Sequence, residues 1–205
     1  MKIFASILNI PWLSLKKALL SLKEGGIDGI HLDIMDGHFV DNISFGPWIV
    51  EVVREVLPET LLNAHLMVTN IRKFARKFIE HGVKDITVHV EIVSLDDIKF
   101  INDIGGRAYI ALNPETDIVK LNSFYRFVEG VLVMSVHPGF GGQRFIPSTF
   151  QRIASIRHEN ICVDGGVNLS NIKDVFQAGA KRVVVGSAMF KEEDIQATVR
   201  RFKNA

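Results

Sequence analysis

Two short stretches of the sequence pair a histidine with a polar or soft residue two positions on, His31-Leu-Asp33 and His65-Leu-Met67. In an extended chain residues i and i+2 point to one face, so each pair offers both side chains in one direction. A further carboxylate, Asp164, closes the apolar run from Ile161 to Val163. Imidazole and carboxylate donors without a thiolate suit a divalent transition metal such as Zn, Fe, Mn or Co. Each residue taken singly has an ordinary explanation, since a strand histidine is commonly hydrogen-bonded in a core and an aspartate after a strand commonly caps a helix. Gathered at one place, His31, Asp33, His65 and Asp164 would make a site for one divalent ion per chain.

Glycines form a second constellation. Gly139-Phe140-Gly141-Gly142, Gly165-Gly166 and Gly186-Ser187 each follow an apolar run. Glycine lets backbone N–H groups approach an anion closely, and successive amides make a concave donor nest. Three such loops together point to a phosphate. Met35, Met67 and Met134 lie at or just after the ends of apolar runs, where thioethers would wall a pocket and lower its dielectric. His89 and His137 also fall near such ends, but each stands alone and reads as a structural residue.

The elements that must position these groups alternate along the chain. β-Rich runs occupy Ile3–Ser6, Gly29–Asp33, Leu61–Met67, Asp85–His89, Arg107–Leu112, Gly130–Ser135, Ile161–Asp164 and Arg182–Gly186. Segments of helical period lie between them, as in Leu15, Ala18, Leu19 and Leu22, or Ile71, Phe74, Ala75 and Phe78. Gly25, Gly82, Gly105 and Gly179 stand where a helix should stop. The fifth and seventh segments have the weakest periodicity. Eight strand–helix units in 205 residues predict a small (β/α)8 TIM barrel with parallel strands, spanning residues 1–205 as one domain; a doubly wound open sheet is the rival. In such a barrel chemistry sits at the C-terminal ends of the strands. Ser6, His31, Asp33, His65, Met67 and Asp164 then meet at one mouth, and the loops after strands seven and eight take the usual phosphate position.

Composition excludes other classes. Lys and Arg number 24 against 23 Asp and Glu, which gives no basic excess for a nucleic acid. An apolar content of 47% excludes disorder, and a single cysteine, Cys162, excludes a disulfide scaffold. Its setting between Ile161 and Val163 reads as a packed core thiol, and one cysteine fits a reducing cytoplasm. No apolar run is long enough for a membrane span. The N-terminal apolar stretch is interrupted by Asn9 and Pro11 and lacks a cleavage signal, so it is not read as a signal peptide.

The motifs together resemble the ribulose-phosphate 3-epimerase family. The stretches that carry the resemblance are Ala5-Ser6-Ile7-Leu8, HLDIMDGHFV from His31, HLMV from His65, VMSVHPGFGGQRF from Val133, VDGGV from Val163 and VGSAMF from Val185. The resemblance implies that His31, Asp33, His65 and Asp164 ligate the metal, and that Asp33 and Asp164 are the acid and base. It implies that Ser6 and His65 touch the sugar phosphate. Gly139, Phe140, Gly141, Gly142, Gly165, Gly166, Gly186 and Ser187 would bind its body and phosphate, and copies of the chain would assemble into a homo-oligomer. Asp41 and His137 depart from the family's usual residues, which bears on loop closure.

The chemistry follows from the reaction. Inverting C3 of a 2-keto sugar phosphate removes a proton beside a carbonyl and returns one to the opposite face. Two carboxylates supply base and acid, and the metal stabilises the enediolate between them. The expected reaction interconverts D-ribulose 5-phosphate and D-xylulose 5-phosphate, as in the pentose phosphate pathway. Epimerisation of D-allulose 6-phosphate is the alternative, followed by a non-catalytic sugar-phosphate-binding barrel. A decarboxylase of the D-x-K-x-x-D type is disfavoured by Asp33-Ile34-Met35-Asp36, and a Schiff-base aldolase by the lack of a strand-end lysine.

Overall fold

The eight β-rich runs become parallel strands that close on themselves in the computed structural model, which describes residues 1–205. They are β1 (Lys2–Ser6), β2 (Gly29–Met35), β3 (Leu61–Met67), β4 (Asp85–His89), β5 (Arg107–Leu112), β6 (Gly130–Met134), β7 (Ile161–Asp164) and β8 (Arg182–Val185). Each pairs with its neighbours in sequence, and β1 pairs with β8 to complete the barrel. The helices are α1 (Leu15–Gly25), α2 (Trp48–Val56), α3 (Ile71–Glu80), α4 (Leu95–Asp103), α5 (Thr149–Ser155), α6 (Ile172–Gln177) and α7 (Ile195–Lys203). The architecture is a (β/α)8 TIM barrel.

One expected helix is absent. Between β5 and β6 the chain makes a 3-10 segment, Ile118–Ser123, whose only buried residue is Leu121. A stripe that narrow cannot hold an α-helix against the sheet. The stop signals hold with one shift. Gly82, Gly105 and Gly179 take positive φ after their helices, but after α1 the left-handed residue is Gly26 at φ 79°. Gly25 instead ends the helix proper, pressed against α7, where a Cβ would lie 2.7 Å from Val199 Cβ.

Strand alternation sorts the side chains. On β2, Ile30, Leu32 and Ile34 join the large apolar layer between strands and helices, while His31, Asp33 and Met35 belong to the other face. The interior of the barrel holds Phe4, Tyr109, Leu132, Cys162 and Val184. Arg182 lies among them, 4.3 Å from the Phe4 ring centroid and 5.0 Å from that of Tyr109. It pairs with buried Asp85 at 3.0 Å, and Arg107 Nε also donates to that carboxylate; a buried charge needs such partners. This filled end leaves the opposite, C-terminal mouth for chemistry. No helix is long and apolar enough to cross a membrane.

Candidate metal centre and substrate cavity

The parallel register sets the site. Asp33 lies beside His65 and Met35 beside Met67 across β2 and β3, Ser6 is beside His31 across β1 and β2, and Met134 is beside Asp164 across β6 and β7. The ladders therefore bring His31, Asp33, His65 and Asp164 together, with one ligand atom of each within 4.8 Å of all the others. His31 Nε2 is 3.3 Å from His65 Nδ1 and 3.4 Å from both Asp33 Oδ1 and Asp164 Oδ2. His65 Nδ1 is 3.3 Å from Asp33 Oδ1 and 3.7 Å from Asp164 Oδ2.

These spacings fit a bound cation. Four donors about 2.05 Å from an ion in tetrahedral array are separated by about 3.3 Å, close to the five separations just given. That is longer than an ordinary N–H···O bond, so the groups surround a point more than they bond one another. The residues fit a divalent ion in donor type, number and spacing.

Electrostatics agree. Burial opposes a charge on His31, but Asp33 and then Asp164 outweigh it and raise its pKa to about 10. Burial likewise opposes the charge of Asp33, yet His31 and then His65 hold its carboxyl well below the usual range. Two buried carboxylates thus demand positive charge at this spot. His31 Nδ1 has no hydrogen-bond partner, whereas Asp33 Oδ2 accepts from Ser6 Oγ at 2.6 Å.

A cavity of about 360 Å³ opens above the cluster, toward the small end of small-molecule sites. Asp33 and Asp164 line it; His31 and His65 are fully buried beneath. Met35, Met67 and Met134 are in its wall, as are Ser6, Gly186, Ser187 and the whole Gly139–Gly142 loop. Gln143 Nε2 shapes that loop by donating to His137 O at 2.7 Å and Phe140 O at 2.8 Å. Gly165 and Gly166 have φ of 106° and 62°. A Cβ on Gly166 would lie 2.4 Å from the backbone nitrogen of Phe145, so only glycine lets these two loops touch. The Gly166 carbonyl accepts from Asn168 and Asn171 side chains, both at 3.1 Å. The amides of Gly165, Gly166, Gly186 and Ser187 donate to no protein group and remain free for an anion.

Several residues escape the sequence reading. Asn9, Arg144 and Lys191 also line the cavity and add two cations to its wall. Arg144 stands inside the VMSVHPGFGGQRF stretch, where the glycines drew the reading, and Lys191 lies in a loop without a distinctive pattern. His137 sits at the rim, exposed, 3.4 Å from Glu115. His89 is not an isolated core residue: its Nε2 is 2.8 Å from His65 Nε2, and its Nδ1 is 3.0 Å from Glu91 Oε2. The clue was the two-residue spacing His89-Val-Glu91, the same as in His31-Leu-Asp33. Burial pushes His89 down to about 4, although Glu91 works against this. Burial would raise Glu91, but hydrogen bonds from His89, Thr116 and the Asn113 amide bring it to about 2.

Known proteins match along nearly the whole chain. In backbone shape it superimposes on 3-hexulose-6-phosphate synthase from Salmonella typhimurium with a TM-score of 0.79 at 15% identity, covering 100% of this chain and 97% of that one. At that identity the likeness concerns the fold alone. Ribulose-phosphate 3-epimerase of Aquifex aeolicus (strain VF5) is 36% identical over 217 residues, covering 100% of this chain and 96% of the relative. That of Methanocaldococcus jannaschii is 38% identical over 214 residues, covering 100% and 90%. The profile of the Ribulose-phosphate 3 epimerase family matches residues 2–190, and the chain belongs to that family.

Proposed function

We propose that this protein is an isomerase that interconverts D-ribulose 5-phosphate and D-xylulose 5-phosphate at C3. One observation carries the reading: the two carboxylates that line the cavity, Asp33 and Asp164, come from β2 and β7. These strands are separated around the barrel by β1 and β8, so the carboxylates reach the cavity from different sides. A flat intermediate held between them has one carboxylate for each face. One removes the C3 proton and the other returns a proton opposite, with the roles exchanged in the reverse direction.

Each residue has a distinct task. His31 and His65 would hold a divalent ion, and Asp33 and Asp164, which also line the cavity, would complete the set. A divalent ion held there supplies Lewis-acid stabilisation of negative charge developing on substrate oxygens. Ser6 donates to Asp33 Oδ2 and so orients that carboxylate. The three methionines keep water from the reacting carbon, which strengthens electrostatics in the site. Free amides of Gly165, Gly166, Gly186 and Ser187 take the phosphate, and Arg144 and Lys191 add charge. The whole chain acts as one domain.

The test is a coupled epimerase assay on D-ribulose 5-phosphate after chelation and re-addition of single metals, run alongside D-allulose 6-phosphate. Turnover that vanishes on chelation, returns with a divalent ion and prefers the pentulose supports the reading. Preference for the hexulose replaces the substrate, and no turnover on either with tight binding makes the barrel a sensor. We further propose assembly of like copies through Trp12, Leu13, Ile43 and Trp48, which are exposed large apolar residues, and a cytoplasmic location for a chain whose one cysteine is free. Sedimentation of the wild type against Leu13→Glu tests the first, with a smaller particle expected for the variant.

A further inference from the structure

His89 and Glu91 have no part in the donor set, yet their hydrogen-bond chain ends on one of its members, His65. We propose that Glu91 and His89 are positioning residues that fix which nitrogen of His65 carries its proton, leaving Nδ1 free to bind the metal. The proposal rests on the metal reading above, and deepens it.

The argument uses donors and acceptors alone. A carboxylate only accepts, so His89 Nδ1, 3.0 Å from Glu91 Oε2, must carry a hydrogen. Neutral His89 then has its lone pair on Nε2, which faces His65 Nε2 at 2.8 Å. His65 Nε2 must therefore donate, and its lone pair falls on Nδ1. That is the atom 3.3 Å from Asp33 Oδ1 and from His31 Nε2. Both imidazoles are fully buried, so water cannot supply an alternative partner. Glu91 cannot turn away either: its Oε1 accepts from the Asn113 backbone N–H at 2.8 Å and from Thr116 Oγ1. His31 has no such chain, for its Nδ1 is unpartnered. The two imidazoles are thus not equivalent, and only His65 is set from outside the cluster.

The substitution that reads the direction is Glu91→Gln, nearly identical in shape. The Asn113 N–H can only donate, so the amide oxygen of the substituted side chain must stay there. Its NH2 group then faces His89 Nδ1, which becomes an acceptor, and both imidazoles reverse. His65 would carry its hydrogen on Nδ1, the wrong atom for ligation. Ring nitrogen shifts from 15N-histidine NMR of the metal-free protein report this directly. In the wild type, His89 should be protonated at Nδ1 and His65 at Nε2; in Glu91→Gln both should be reversed. Zinc affinity, measured by competition with a chelator, should fall about 10- to 100-fold, as for other outer-shell partners. Thr116→Val weakens the anchoring of Glu91 without changing what faces His89, and should keep the wild-type nitrogen pattern. His89→Leu serves if Glu91→Gln fails to fold: His65 loses its Nε2 partner and should show a mixture of tautomers. An unchanged pattern in Glu91→Gln, or His65 held purely as the Nε2–H form in His89→Leu, overturns the proposal. Failure of the wild type to bind zinc would instead count against the metal reading, while the nitrogen shifts still decide the chain.

Discussion

Replacing His65 with alanine removes one donor of the cluster without altering the cavity wall, because His65 is fully buried and Asp33 and Met67 line the cavity there. Ligand binding to the folded state stabilises it by about 2.7 kcal/mol when free metal is about 100 times the dissociation constant. Unfolding entropy of about 2.1 cal/mol/K per residue over 205 residues amounts to about 0.43 kcal/mol/K. The wild type should therefore melt about 6 °C higher with metal than after chelation. Loss of a ligand should cost at least ~100-fold in affinity, the upper end of the ~10- to 100-fold cost of losing an outer-shell partner. At the same metal concentration, only about 0.4 kcal/mol then remains, a shift of about 1 °C. The assay is differential scanning fluorimetry of both proteins with and without the ion, comparing shifts so that any cavity left by the substitution cancels. Equal shifts in the two proteins would refute His65 as a ligand.

Three other outcomes follow from named contacts. Gly186→Ala adds a methyl whose nearest neighbour would be Ser6 Cβ at 3.7 Å; steady-state kinetics should show KM for the sugar phosphate raised about 10-fold with kcat little changed, the pattern of lost uniform binding, and an unchanged KM would place the phosphate elsewhere. Glu91 is depressed to about 2 from 4.5, so its contribution is complete above about pH 5 and is lost as pH falls toward 2. Urea unfolding of wild type and Glu91→Gln should differ by about 2–3 kcal/mol near neutrality, after allowance for partial solvent screening, and converge as pH falls through about 2; a constant gap would contradict this. Cys162 is buried and its thiol is pushed up to about 12 by burial, so a thiol reagent should modify it only at the rate of unfolding, and rapid labelling of the native protein would overturn that placement.

The strands were legible where both faces are buried, as in the nearly continuous apolar runs of β6 and β8, and because the chemistry sits at strand ends. His31 and Asp33 announced themselves by spacing. The fifth connection was less readable: Leu121 is buried while Val119 is exposed, so the segment has apolar residues without a helical stripe. Gly25 and Gly26 differ in role only through α7, far along the sequence, and local pattern carries no trace of that contact. Arg144 and Lys191 reach the cavity from loops whose paths are set by packing, such as that of Phe145 on Gly166. His89 escaped for another reason, since its importance lies in a contact to a neighbouring strand.

The central claim is that Asp33 and Asp164 each serve one face of the substrate, and solvent exchange tests it most directly. Asp33→Asn and Asp164→Asn should first be shown by elemental analysis to retain the ion, since both belong to the cluster. Each metal-loaded variant is then incubated in deuterium oxide with D-ribulose 5-phosphate and with D-xylulose 5-phosphate, and C3 deuterium is followed by NMR. An amide carries no transferable proton, so net epimerisation should fall by at least the ~10²–10⁴-fold ascribed to acid–base groups. One variant should still exchange the C3 hydrogen of one sugar and the other variant that of the other sugar, each without inversion. Rapid interconversion of the two sugars by either metal-loaded variant would contradict the account.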